Sequence, residues 1–149
     1  MDASVERLFD TVVAEDVLPK VLHRWGPVPA VTGTREQTGP WHTPGSERTV
    51  ELDDGSTARE QVLAWERPLR FEYRVDGFTS PLGRVANHAI GAWEFASHGP
   101  VSASFRWTYS FYPRTRLGGL VLRMIVPTAW SRYMAQCAAL CAELAASAD

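Results

Sequence analysis

Between Val101 and Tyr112 apolar and polar positions alternate without a break. Val101, Ala103, Phe105, Trp107, Tyr109 and Phe111 share one face of an extended strand, and Ser102, Ser104, Arg106, Thr108 and Ser110 share the other. At roughly 3.3 Å per residue such a strand is about 40 Å long, about twice the usual length, so the sheet holding it is predicted to be large and curved. Further strands are predicted at 30–38, 46–52, 57–65, 70–76 and 87–96. The segments between them, GPWHTPG, DDGS, ERPL, DGFTSPLGR and SHGP, are rich in turn formers. That order describes an antiparallel meander.

Helical spacing brackets the meander. Val5, Leu8, Phe9, Val12 and Val13 recur at helical intervals after Ser4, a suitable N-cap, which predicts a helix over 4–14. A second short helix follows, with Asp16 as its cap, Pro19 in its first turn, an apolar side of Val17, Val21, Leu22 and Trp25, and Gly26-Pro27 as its stop. At the other end Trp130, Met134, Cys137, Cys141 and Leu144 form a stripe that predicts one long helix over about 128–147. The apolar run LGGLVLRMIV at 117–126 is compatible with helix or strand, and Pro127 should end it or kink the chain.

Turn geometry sets the register. In LDDGS, Gly55 suits the left-handed position of a three-residue hairpin loop, which would oppose Leu52 to Ser56, Val50 to Ala58 and Arg48 to Glu60. A two- or four-residue loop around ERPL then puts Glu60, Val62 and Ala64 on the same face as Phe71, Tyr73 and Val75. An Arg48/Glu60 pair beneath aromatic rings is therefore predicted on the apolar face, either as an anchor and general base or as a structural ion pair. In the last hairpin a five-residue loop after Phe95 sets Asn87 beside Tyr109 and Gly91 beside Phe105, with Trp93 inward. A four-residue loop puts His88 inward instead. Asn87 is preferred because Trp93 and Phe95 make the more apolar face, and His88 is the one histidine worth testing as a catalytic group.

Composition narrows the function. The 149 residues, 45% of them hydrophobic, suit a single domain spanning 1–149 with a substantial core. A formal charge of −2 gives no electrostatic ground for a nucleic-acid or membrane-surface partner. The start MDASVERLFD does not look like a signal peptide and no run approaches a membrane span, so a cytoplasmic protein is expected. Cys137 and Cys141, four apart on a predicted helix, read as small core residues. No histidine spacing resembles a metal site, and phosphate-loop, nucleophile-elbow and H-E-x-x-H patterns are missing, so no cofactor is expected.

Two short helices, an antiparallel meander and a long C-terminal helix resemble the helix-grip fold of the START-related superfamily, which includes birch-pollen-type allergens, lipid-transfer domains and aromatic polyketide cyclases. DASVERLF resembles that family's first helix, GSERTVELDDGSTAREQVLAWERPLRFEYRV its central strands, and GAWEF with FRWTYSFYP its last two. The resemblance implies an α+β fold, a curved antiparallel sheet of six or seven strands wrapped around the C-terminal helix. The family's first strand would be very short or missing, since only Met1 to Ala3 precede the first helix.

The resemblance also implies a cavity between sheet and helix. Arg48, Phe71, Asn87, Trp93, Phe105, Trp107, Tyr109, Trp130 and Met134 would line it, and a small hydrophobic or aromatic molecule would occupy it. Glu60, Tyr73 and His88 would supply acid/base chemistry if the protein is a cyclase, aromatase or dehydratase. A non-catalytic carrier would use the same cavity with Arg48 as anchor. A protein-interaction module with a filled core would instead use LGGLVLRMIV as its surface patch. A homodimer is compatible with each.

Overall fold

The computed structural model describes residues 2–147. Its elements run α1 (Val5–Val12), α2 (Leu18–Val21), β1 (Val31–Arg35), β2 (Glu47–Leu52), β3 (Thr57–Glu66), β4 (Arg70–Asp76), β5 (Ala86–Gly99), β6 (Ser102–Pro113), α3 (Arg116–Ile125) and α4 (Ser131–Ser147). The strands form one antiparallel sheet in chain order, β1 to β6. The helix-grip architecture expected from the sequence is the one observed. The sheet has six strands, and β6, the longest run of alternation in the sequence, lies at its edge.

Local chemistry explains most element ends. Ser4 caps α1 by accepting from the Arg7 amide at 3.2 Å, and the apolar face of that helix buries Leu8 and Phe9 completely. Helix α2 is shorter than predicted, stops at Leu22, and has Val17 rather than Asp16 at its N-cap. Asp16 is drawn instead into an i,i+4 ion pair with Lys20 at 2.6 Å.

The apolar run at 117–126 is helix α3, capped by Thr115, whose side chain accepts from the Gly118 amide at 3.0 Å. One wide π-turn, Val126–Trp130, joins α3 to α4. Pro127 has no N–H to offer the preceding turn, and hydroxyl groups make up the deficit. Thr128 donates to the carbonyls of Met124 and Ile125 at 2.9 and 3.1 Å, and Ser131 donates to that of Val126 at 2.7 Å. The helical path thus continues across the proline, and α4 buries Tyr133, Cys137, Cys141 and Ala145 and packs against α1 and α2.

Two registers differ from expectation. A bulge at Leu63, between the Val62↔Tyr73 and Ala64↔Glu72 pairs, reverses the alternation in β3. Trp65, not Ala64, consequently pairs with Phe71 and packs edge-on against Phe9 at 5.3 Å. In the last hairpin Gly99, at φ 147°, turns the chain directly before Pro100, so β5 continues beyond Phe95 and the loop is tighter than predicted. Gly91 therefore pairs with Tyr109, Trp93 with Trp107 and Phe95 with Phe105. The shift from Phe105 to Tyr109 is even, so the aromatic face of β6 still points inward.

Candidate functional site

The Arg48/Glu60 pair forms as the Gly55 turn predicts. Gly55 adopts φ 82°, Leu52 donates to the Ser56 carbonyl at 3.0 Å, and Arg48 stands opposite Glu60. Arg48 Nε meets Glu60 Oε2 at 2.8 Å, and Arg48 Nη1 donates to the Glu15 carbonyl at 2.9 Å. The guanidinium carbon lies 3.7 Å from the centre of the Trp41 ring. Both charged side chains are sealed from solvent, at 2% and 5% exposure. The predictions missed Trp41 and the Glu15 carbonyl. Each sits in irregular chain, where periodicity says nothing about direction.

Above the pair rises a continuous stack of rings. Phe71 stacks on Tyr73 at 5.4 Å, Trp93 on Trp107 at 4.5 Å, and Phe105 meets Trp93 edge-on at 5.2 Å. Trp107 Nε1 donates to the Tyr73 hydroxyl at 3.1 Å. Burial holds the Tyr73 phenol far above its ordinary pKa, with the neighbouring Tyr109 and Glu60 adding to the effect. Arg48, Glu60, Phe71, Tyr73, Trp93, Trp107, Cys137 and Cys141 are among the residues lining one small cavity of about 40 Å³. That holds a water molecule or two, whereas small-molecule pockets span about 300–1,000 Å³. This part of the interior is filled core, contrary to the roomy cavity expected.

The other end of the stack differs. Tyr109, Phe111, Trp130 and Tyr133 form a cluster in which Trp130 lies 4.9 Å from Tyr109, 5.0 Å from Phe111 and 5.2 Å from Tyr133. Tyr133 donates to the Pro29 carbonyl at 3.3 Å. The buried Trp130 Nε1 has no acceptor. Among the described residues no group hydrogen-bonds the Tyr109 hydroxyl, and burial pushes that phenol well up, so it stays protonated. Beside Phe111 opens a groove of about 690 Å³ between α3 and the end of β6, bounded also by Pro113, Gly119, Leu122 and Val126. Sequence analysis singled out Trp130 and Tyr109 but not Tyr133.

Three predicted site residues lie elsewhere. Asn87 is exposed, because a bulge between Ala86 and His88 breaks the alternation there. His88 pairs with Asp76 and Tyr112 and stacks on the Tyr112 ring at 4.4 Å, on the outer face of the sheet. Partial burial, with Arg74 assisting, lowers its pKa. Met134 is half-buried on α4, beside the buried stripe. Among the described residues no cluster of His, Cys, Asp or Glu could hold a metal ion, and no helix is long and apolar enough to cross a membrane.

Solved structures with little sequence in common share this backbone. Norcoclaurine synthase from Thalictrum flavum matches at a TM-score of 0.70 and 11% identity, over 99% of this chain and 83% of that one. Ara h 8.0201 matches at 0.65 and 16% identity, over 94% and 91%. The di-domain ARO/CYC protein BexL of the BE-7585A biosynthetic pathway matches at 0.63 and 20%, over all of this chain and 48% of that one, so this chain spans about half of it. No protein-family model matches the chain, and no curated protein matches it in sequence. At these identities the likeness is one of fold.

Proposed function

We propose that this chain binds a small aromatic molecule carrying a hydrogen-bond-accepting oxygen, held against Tyr109 and Trp130 where β6 meets the junction of α3 and α4. The observation that carries this reading is the buried Trp130 indole N–H without an acceptor. A buried donor left unmet costs about 1–3 kcal/mol, which a ligand oxygen would recover. The Tyr109 hydroxyl offers a second donor, and the rings of Tyr109 and Phe111 offer faces for stacking. The neighbouring groove of about 690 Å³ supplies room of the right order for such a molecule. A structure of norcoclaurine synthase in complex with dopamine and hydroxybenzaldehyde, which shares this fold at a TM-score of 0.68 and 10% identity, supports the chemical class.

Binding suits the interior better than proton transfer. His88 faces away from the site, and Glu60 is tied to Arg48. One observation favours a cyclase- or dehydratase-type activity as a second reading: Glu60 and Tyr73 line the same small cavity. Turnover of a bound ligand, lost in Glu60→Gln with affinity kept, would decide for it.

Native mass spectrometry of the chain purified from its own cells, before and after organic extraction, tests the binding reading. A releasable small-molecule adduct is expected. No adduct, together with no thermal stabilisation by a panel of aromatic aldehydes and phenols, would leave a filled core.

A further inference from the structure

Helix α3 turns an apolar row outward. Leu117, Leu120 and Met124 recur along one side and are 71%, 57% and 74% exposed, while Gly118 and Leu122 are buried against the protein. At 100° per residue, Arg116 and Arg123 border that row along one edge. Neither arginine has a carboxylate partner among the described residues. The arginines of the first four strands and their connections behave differently: Arg24, Arg35, Arg59, Arg67, Arg70 and Arg74 all pair with Asp or Glu. The sequence explains the contrast, because between Glu94 and Glu143 it contains five arginines and no acidic residue. A net charge of −2 conceals a cationic C-terminal third.

We propose that α3 docks the protein on a bilayer containing anionic phospholipid. The helix would lie in the interface with Leu117, Leu120 and Met124 among the upper acyl chains and Arg116 and Arg123 at the level of the phosphates. A second copy fits this face poorly, since a two-fold contact would bring both copies' arginines together with no carboxylate between them. A single row of three side chains is also far narrower than the roughly 800 Å² per partner of a stable protein interface. The inference does not depend on the ligand proposed above. Arg116, Leu120 and Arg123 also border the groove beside Phe111, so docking would place its mouth at the membrane surface.

Co-sedimentation of the full chain with phosphatidylcholine vesicles, with and without phosphatidylglycerol, tests the proposal. Binding to the phosphatidylglycerol vesicles is expected, weakening with salt, with little binding to phosphatidylcholine alone and no competition from millimolar inorganic phosphate. Arg116→Glu/Arg123→Glu and Leu117→Gln/Met124→Gln should each lower the partition coefficient at least about tenfold. Circular dichroism should stay unchanged, because the replaced side chains are exposed. Failure of the wild type to sediment, equal binding to both vesicle types, or variants that bind like the wild type would overturn the proposal. So would retention on soluble polyglutamate without vesicle binding, which would point to an acidic protein, or a dimer abolished by Leu117→Gln/Met124→Gln.

Discussion

The ring of Tyr73 lies directly over the bare Cα of Gly91 in the neighbouring strand. A Cβ at that position would come within 2.1 Å of Tyr73 Cζ, in a core whose cavity of about 40 Å³ leaves little room for the displaced ring. Gly91→Ala is therefore expected to destabilise the protein by about 1–3 kcal/mol in urea titration. Paired with Tyr73→Ala, which removes the obstacle, it should cost clearly less than the sum of the two single changes. Additive effects would mean that the ring does not occupy this space.

Removing one member of the Arg48/Glu60 pair strands the other charge in the core. Arg48→Met or Glu60→Leu alone should cost about 3–5 kcal/mol, whereas the double replacement should restore much of the loss. The cycle is read by chemical denaturation at neutral pH. A double variant no better than the worse single one would show that the pair contributes more than mutual neutralisation.

That pair is also where the sequence was most informative. A glycine third after Leu52 determines the β2–β3 loop, and with it which charges face each other, because register follows from turn geometry. The alternation in β6 and the stripe on α4 were legible for the same reason, each being a periodic signal on a half-buried element. Bulges were not. Leu63 and the Ala86/His88 step each shift the alternation by one, which carried Trp65 inward and Asn87 outward without any mark in composition. Trp41 was beyond reach because a loop has no period. The small size of the cavity beside Arg48 and Glu60 was equally illegible, since it depends on how side chains of distant elements fit together.

Acid stability should depend on Asp76. Its carboxylate accepts from Arg59 at 2.8 and 3.0 Å and from Arg74 at 2.9 Å, and the Arg59 hydrogen bond chiefly holds its pKa below the ordinary carboxylate range. A folded value below the unfolded one, about 3.9, means the contribution is present above that pH and is lost as pH falls through the folded value. The expected contribution is on the order of 1 kcal/mol, because both arginines are substantially exposed and screened. Asp76→Asn should lower stability at pH 7 and leave it little changed near pH 2. A constant difference across that range would contradict the assignment.

Cys137 and Cys141 are 2% and 1% exposed, and their shared hydrogen bond, then burial, pushes the Cys137 thiol up. Neither should react with a thiol-alkylating reagent in the folded protein. Their modification should follow the unfolding transition in denaturant, as read by intact mass. Labelling in native buffer would place them outside the core.

The central claim concerns the unmet Trp130 donor, and indole ¹⁵N–¹H spectroscopy addresses it directly. The chain contains six tryptophans, so Trp130→Phe assigns the one signal that matters. Titration with 4-hydroxybenzaldehyde should move the Trp130 indole proton downfield as it gains an acceptor, with weaker affinity in Tyr109→Phe. The Trp107 signal, already hydrogen-bonded to Tyr73, should move little. A Trp130 signal that stays in place through the aromatic aldehydes and phenols would contradict the proposed site.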